Sequence, residues 1–84
     1  MNLLFLDTSA IVRACLDDEP EHEGVFSLLF AEPRPLAAST LARLETYSAL
    51  ESAGRNRRLT KRKLAELRLV LDHEFGQSGK IELG

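Results

Sequence analysis

Short apolar segments alternate along the chain with longer stretches whose apolar residues recur at helical spacing. Residues 3–6 form an unbroken apolar run, which is typical of a strand with both faces buried. Two further short apolar segments, 36–39 and 81–83, are bounded by turn-forming residues and predict two more strands. The pattern therefore predicts three strands, and the first is expected at the centre of the sheet.

Two helices are predicted between the first two strands. A helical pattern covers residues 10–16, directly after the first apolar run. A second helix is predicted to begin within the acidic stretch 17–23, with Pro20 in its first turn, and to end at Pro33. His22 at the start of this helix lacks a second His or Cys at ligand spacing, so we interpret it as a solvated residue and not a metal ligand.

Two more helices are predicted between the second and third strands. Ser39 or Thr40 caps the first of them, which runs to about Gly54, and Thr60 caps the second. The second ends near residue 76 and carries the most regular apolar stripe in the chain: Leu64, Leu67, Leu71 and Phe75. Strands that alternate with helices in this order predict the α/β class, with parallel strands and right-handed crossovers.

The residues after the first strand are candidates for chemistry. Asp7 is expected at the carboxyl end of a central parallel strand, where open α/β sheets place their ligand sites. Asp7, Thr8 and Ser9 could each cap the following helix, which needs only one of them. A functional role for the Asp7 carboxylate is therefore slightly favoured over capping.

Glu45 is the second candidate. On a helical wheel of residues 41–53 it falls near the middle of the arc that holds Leu41, Leu44 and Ala49. A carboxylate on a packing face is costly unless it is paired, so Glu45 is either in an ion pair, at a rim position or a metal ligand. Small neighbouring side chains favour the ligand interpretation. Together with Asp7 it would suit a hard divalent cation such as Mg²⁺ or Mn²⁺.

Length and composition limit the alternatives. The 84 residues form at most one small domain, with a net charge of −2 and a single cysteine, so a disulfide framework is excluded. The apolar N-terminal run is too short to span a bilayer and lacks a basic flank, so we expect a cytoplasmic protein with no membrane partner. The one dense basic cluster, around Arg55, Arg57 and Arg58, could contact phosphates or be a solvated turn.

Two segments together resemble the N-terminal half of a PIN-domain ribonuclease, in particular a VapC-type toxin of a toxin–antitoxin pair. The first is the strand that ends in Asp7-Thr8-Ser9-Ala10, and the second is the helix around Glu45. The residues of this second segment are Ser39-Thr40-Leu41-Ala42-Arg43-Leu44-Glu45-Thr46-Tyr47-Ser48-Ala49-Leu50. The resemblance implies a three-layer α/β/α PIN-like fold with a parallel sheet. Residues 1–84 would be the N-terminal portion of a single PIN-like domain, truncated after the third strand.

The resemblance also implies an activity, namely divalent-metal-dependent endoribonuclease cleavage of RNA phosphodiesters. Asp7 matches the family's first acid and Glu45 its second, so both would hold Mg²⁺ (or Mn²⁺), which activates the attacking water. Thr8 or Ser9 matches the hydroxyl position beside the first acid and would bind at the same site. The implied partners are an RNA substrate, a VapB-like antitoxin and a second copy of the chain.

The chain departs from the family pattern in one respect. The family's remaining acids lie in a C-terminal half, after the third strand, where this sequence stops. The first strand would then have an open apolar edge, which a completing subunit could cover. Two alternatives follow, namely a non-catalytic PIN fragment that binds an antitoxin or a subunit, and an unrelated small α/β binding domain.

Overall fold

Three short parallel strands form one sheet, with β1 (Leu4–Leu6) and β3 (Ile81–Leu83) on either side of β2 (Leu36–Ala38). The computed structural model describes residues 3–31, 35–75 and 79–83. In the register, Ala38 lies opposite Leu6 on one side and Leu83 on the other. All three residues of β2 are buried, so β2 is the central strand. The prediction that the first strand is central is therefore wrong for the described sheet, because β1 pairs only with β2.

Four helices connect the strands, as predicted, and the α/β class is confirmed. They are α1 (Thr8–Cys15), α2 (His22–Phe26), α3 (Thr40–Arg55) and α4 (Lys61–Glu74), and α2 continues into a π-helical segment, Ser27–Ala31. Pro20 precedes α2 and does not lie in its first turn, because Glu21 has a φ of 65° and interrupts the helical backbone. The predicted end of the second helix at residue 33 lies outside the described residues, whereas α4 ends at Glu74, close to the predicted end near residue 76. Among the described helices, none is long and apolar enough to cross a bilayer.

The core lies on one face of the sheet. Leu6, Ala38 and Ile81 point to this face and join a cluster with buried helix residues. Those helix residues are Ile11, Ala14, Leu29, Ala42, Leu50, Ala53 and Leu71. On the opposite face Phe5 is 65% exposed and Glu82 is exposed, so β1 is not buried on both faces as its apolar run predicted. The described residues thus form two layers, and a third layer is not among them.

α3 and α4 pack as an antiparallel pair. Near the turn between them, a Cβ added at Gly54 would lie 3.2 Å from Leu64 Cδ2, so the Leu64 side chain packs directly against the Gly54 backbone. At the other end of the pair, the Arg43 guanidinium lies 5.6 Å from the ring centroid of Phe75. The start of α3 and the end of α4 therefore lie together, and the α3–α4 turn lies at the far end from them.

The α3–α4 turn closes α3 with a Schellman motif. The Arg58 amide donates to Ala53 O (2.8 Å) and the Arg57 amide donates to Gly54 O (3.1 Å). This geometry places Arg57 in the left-handed region, with a φ of 61°, where glycine is the usual residue. The turn therefore keeps an arginine side chain at a position that disfavours any L side chain.

Arg58 ties this turn to the loop after α1. Its Nε donates to Asp18 Oδ2 and its Nη2 to Asp18 Oδ1, both at 2.9 Å, and Nη2 also donates to Glu19 Oε1 at 3.0 Å. The fork geometry makes this a stronger contact than an ordinary surface ion pair. The Arg58 side chain, through these bonds, holds the pKa of Asp18 below its ordinary value. The ends of α1 and α3 are thus joined at one end of the molecule.

Replacing Arg57 tests the left-handed geometry. Arg57→Gly is expected to raise the free energy of unfolding by about 1 kcal/mol, because glycine adopts a positive φ without steric cost. Arg57→Ala is the matched control, since it removes the same side chain but keeps a Cβ. Denaturant titration of the three proteins measures the difference. Equal stability of the Gly and Ala variants would contradict the assigned backbone conformation.

Candidate functional site

Asp7 sits where β1 ends and α1 begins. Its Oδ1 accepts hydrogen bonds from the Ala10 amide (2.8 Å) and the Ser9 hydroxyl (3.1 Å), so Asp7 is the N-cap of α1. The bond from the Ala10 amide, followed by that from Ser9, holds the pKa of the Asp7 carboxyl below its ordinary value of 3.8. The capping role is therefore realised, and it keeps the exposed carboxylate ionised at neutral pH. No bond within the described residues engages Oδ2.

Glu45 reaches the same edge of the sheet from α3. The Thr8 hydroxyl donates to Glu45 Oε1 at 3.1 Å across 37 residues of sequence. Because Thr8 follows Asp7 directly, this bond brings the second carboxylate to the end of the strand that carries the first. Thr8 and Ser9 each hold one carboxylate, so the four residues form a connected polar group at the carboxyl edge of the sheet.

Glu45 does not lie on the buried face of α3, as the helical wheel predicted. It does lie at the edge of the sheet where β1 ends, as the chain order predicted. α3 buries Ala42, Thr46, Leu50 and Ala53, while Leu41 and Leu44 are 64% and 61% exposed and Glu45 is exposed as well. The buried face is rotated from the predicted one because small side chains let α3 approach the core closely. Thr46 can be fully buried because its hydroxyl donates to Ala42 O at 2.7 Å. An exposed Glu45 needs no partner on grounds of burial.

The donor set at this edge suits a hard cation that keeps much of its water. Asp7 and Glu45 contribute carboxylate oxygens, which Mg²⁺ and Mn²⁺ prefer, and Mg²⁺ in proteins often takes only one or two carboxylates with water and phosphate oxygens. Across the described ranges, no three His, Cys, Asp or Glu side chains are grouped so that they could hold a metal ion. Two carboxylates would suit a water-rich site and not a closed metal cage, and it is the Thr8 bond that brings Glu45 to the edge of the sheet beside Asp7.

The basic cluster lies away from these carboxylates. Glu45 is in the second turn of α3 and Arg55 is in its last turn, so a rise of about 1.5 Å per residue separates them by about 15 Å. Arg57 follows in the turn, and Arg58 is engaged by Asp18 and Glu19. The structure thus gives Arg58 a structural contact with the loop after α1.

His22 and Cys15 carry side chains that can take part in chemistry, but here a hydrogen bond and burial account for them. His22 Nδ1 lies 2.6 Å from Arg13 O, and because a carbonyl oxygen only accepts, Nδ1 must carry the proton. Burial raises the pKa of the Cys15 thiol to about 11, so this side chain stays protonated and unreactive at neutral pH.

Sequence reasoning found both acids but missed the contact that joins them. Thr8 was one of three possible caps, and nothing in its local sequence indicated a bond to a residue in α3. The only available signal was the hydroxyl beside a carboxylate at a strand end.

Comparison of the chain with protein-family models, curated proteins and solved structures finds no match.

Asp7 substitutions separate capping from charge. Asp7→Ala should lower the free energy of unfolding by about 1 kcal/mol through loss of the N-cap, whereas Asp7→Asn keeps a capping oxygen and should lose less. Because the folded-state pKa of Asp7 is lowered, the stability that its ionised form contributes is present above pH 3.8 and lost as the pH falls through the folded-state pKa.

Thermal denaturation at several pH values checks both effects. The difference in unfolding free energy between the wild type and Asp7→Asn should be constant near neutral pH and shrink below pH 3.8. A difference that grows on acidification would contradict the hydrogen bonds assigned to this carboxylate.

Proposed function

We propose that this chain carries the first two acids of a PIN-type, divalent-metal-dependent endoribonuclease that cleaves RNA phosphodiesters. The observation that carries the proposal is the bond from the Thr8 hydroxyl to Glu45 Oε1, which joins α3 to the end of β1 beside Asp7. The motif around Asp7 and Glu45 supports the same conclusion, since both positions match acids of the VapC-type ribonucleases.

Each residue has a defined role in this proposal. Asp7 presents an ionised carboxylate, as any exposed aspartate does at neutral pH, and the α1 cap engages its Oδ1 and leaves Oδ2 for a ligand. Thr8 orients Glu45, and Ser9 orients Asp7. Both carboxylates are exposed at the edge of the sheet, so a polymer can reach them. Mg²⁺ or Mn²⁺ bound there would supply charge neutralisation and a water of lowered pKa for hydrolysis.

We further propose that the described sheet belongs to a three-layer PIN-like fold that a second polypeptide surface completes. Phe5 is 65% exposed on the face of the sheet away from the helices, and β1 is an edge strand without a charged residue or a proline to discourage pairing. A completing subunit, a second copy of the chain or a VapB-like antitoxin could cover this surface.

The exposure of Phe5 also favours a second candidate function, a non-catalytic module that binds an antitoxin or a subunit. It would bind through the face of the sheet away from the helices, which we call the open face. In that case Asp7 acts only as a helix cap, and no metal is required. Cleavage and association assays distinguish the two candidates, because only the first candidate needs both carboxylates.

Metal-dependent cleavage tests the ribonuclease proposal. The purified chain should cleave a structured RNA when Mn²⁺ is added and lose that activity in EDTA. Asp7→Asn and Glu45→Gln should each reduce the rate at least ~100-fold, because each removes a charged ligand or its supporting contact. Glu66→Gln, which neutralises an exposed carboxylate on α4, is the matched control and should retain the activity. Cleavage that survives Glu45→Gln would refute the assignment.

Association through the open face is tested with Phe5. Phe5→Lys should shift the chain toward a smaller species in size-exclusion chromatography with light scattering, because it places a charge on the exposed sheet face. Leu69→Lys changes a side chain on α4 that is 71% exposed and should leave the molecular mass unchanged. A wild-type chain that is monomeric at micromolar concentration would exclude self-association through this face.

A further inference from the structure

A shallow groove separates the end of α3 from the start of α4, at the far end of α3 from Glu45. It has a volume of about 260 Å³, and Arg55 and Lys61 stand on its rim, while Gly54, Leu59 and Leu64 are also among its lining residues. Arg57 lies in the turn between the two helices. We call Arg55, Arg57 and Lys61, together with this groove, the α3–α4 basic surface.

Acids also lie beside this surface, but they are paired with other cations: Asp18 and Glu19 are paired with Arg58. The nine residues from 55 to 63 hold six of the eleven Lys and Arg residues of a chain whose net charge is −2, and no acid lies between Glu51 and Glu66. Glu51 also lines the groove, but its Oε1 accepts from Arg68 Nη1 at 3.0 Å. Within the described residues, the side chains of Arg55, Arg57 and Lys61 make no ion pair.

The turn that carries these cations is held in place before any ligand binds. Two backbone hydrogen bonds close α3, and the Arg58 fork fixes the turn to Asp18 and Glu19. Arg57 retains a large cationic side chain at a φ of 61°, where glycine would be more stable. Backbone strain that a fold retains is often found at ligand sites, and a rigid surface loses little conformational entropy on binding.

We propose that the α3–α4 basic surface is a second, metal-independent contact for the phosphate backbone of RNA. The proposal takes its substrate class, RNA, from the proposed function. It adds where a second part of the RNA binds and how far the bound RNA must extend. A bound RNA must extend from the carboxylates at the end of β1 to Arg55, a distance of about 15 Å along α3. Phosphates fit the rim cations, and the leucine side chains of the groove offer an apolar surface to a base.

Binding of a labelled single-stranded RNA, measured by fluorescence anisotropy in EDTA, tests this surface without any cleavage. Arg57→Gly and Arg57→Ala should both weaken binding, and each should reduce the slope of log affinity against log salt by about 0.7, the loss of one phosphate contact. Arg57→Gly should do so while raising the melting temperature, so its weaker binding cannot come from unfolding. Arg13→Gln removes an exposed cation on α1 and is the matched control with unchanged binding.

Three results would overturn the proposal. The first is wild-type affinity in both Arg57 variants, and the second is an equal loss of affinity in Arg13→Gln, which would indicate a general charge effect. The third is displacement of the RNA by a poly-glutamate peptide of equal charge at the same concentration as unlabelled RNA, which would indicate an acidic protein segment as the ligand. Failure of Mn²⁺-dependent cleavage with intact, Arg57-dependent binding would refute the ribonuclease proposal and leave this one standing.

Discussion

The parallel pairing of β2 with a strand on each side determines where the other described elements lie. Parallel strands share one carboxyl edge, so α1 and α3 begin there, after β1 and β2 respectively. Asp7 and Thr8 stand at the start of α1, and Glu45 follows in the second turn of α3. The hydrogen bond from Thr8 to Glu45 is a direct consequence of that arrangement. Without the pairing of β1 and β2, Glu45 would not reach the end of the strand that carries Asp7.

The same arrangement separates two kinds of charge. Asp7 and Glu45 lie near the starts of α1 and α3, and Arg55, Arg57 and Lys61 lie where α3 ends, about 15 Å from Glu45 along α3. Arg58 belongs to neither set, because its fork onto Asp18 and Glu19 joins the ends of α1 and α3. This contact also offsets one of the two negative charges of Asp18 and Glu19, which would otherwise oppose an anionic ligand at that end. A long anionic polymer is the ligand that could use both ends at once.

The order of elements, the cap at Thr60 and the position of Glu45 at the edge of the sheet where β1 ends could be predicted from the sequence, because local spacing and strand order determine them. The buried face of α3 could not. A helical wheel favours large apolar side chains such as Leu41, whereas close packing on the sheet selected Ala42 and Thr46. The open edge of β1 was expected from the family resemblance and not from its apolar run, because an apolar run does not reveal how many neighbours a strand has. The hydrogen bonds from Arg58 to Asp18 were not predicted, because these two residues lie forty positions apart in the sequence.

The central claim is that Asp7 and Glu45 form one divalent-metal site. Paramagnetic broadening of backbone amide resonances by substoichiometric Mn²⁺ tests it most directly, since it locates the ion without requiring activity. The account predicts that the amides of Thr8, Ser9 and Glu45 broaden first and that Glu45→Gln abolishes the effect. Broadening centred on the acidic stretch 17–23, with residues 7–9 unaffected, would contradict it.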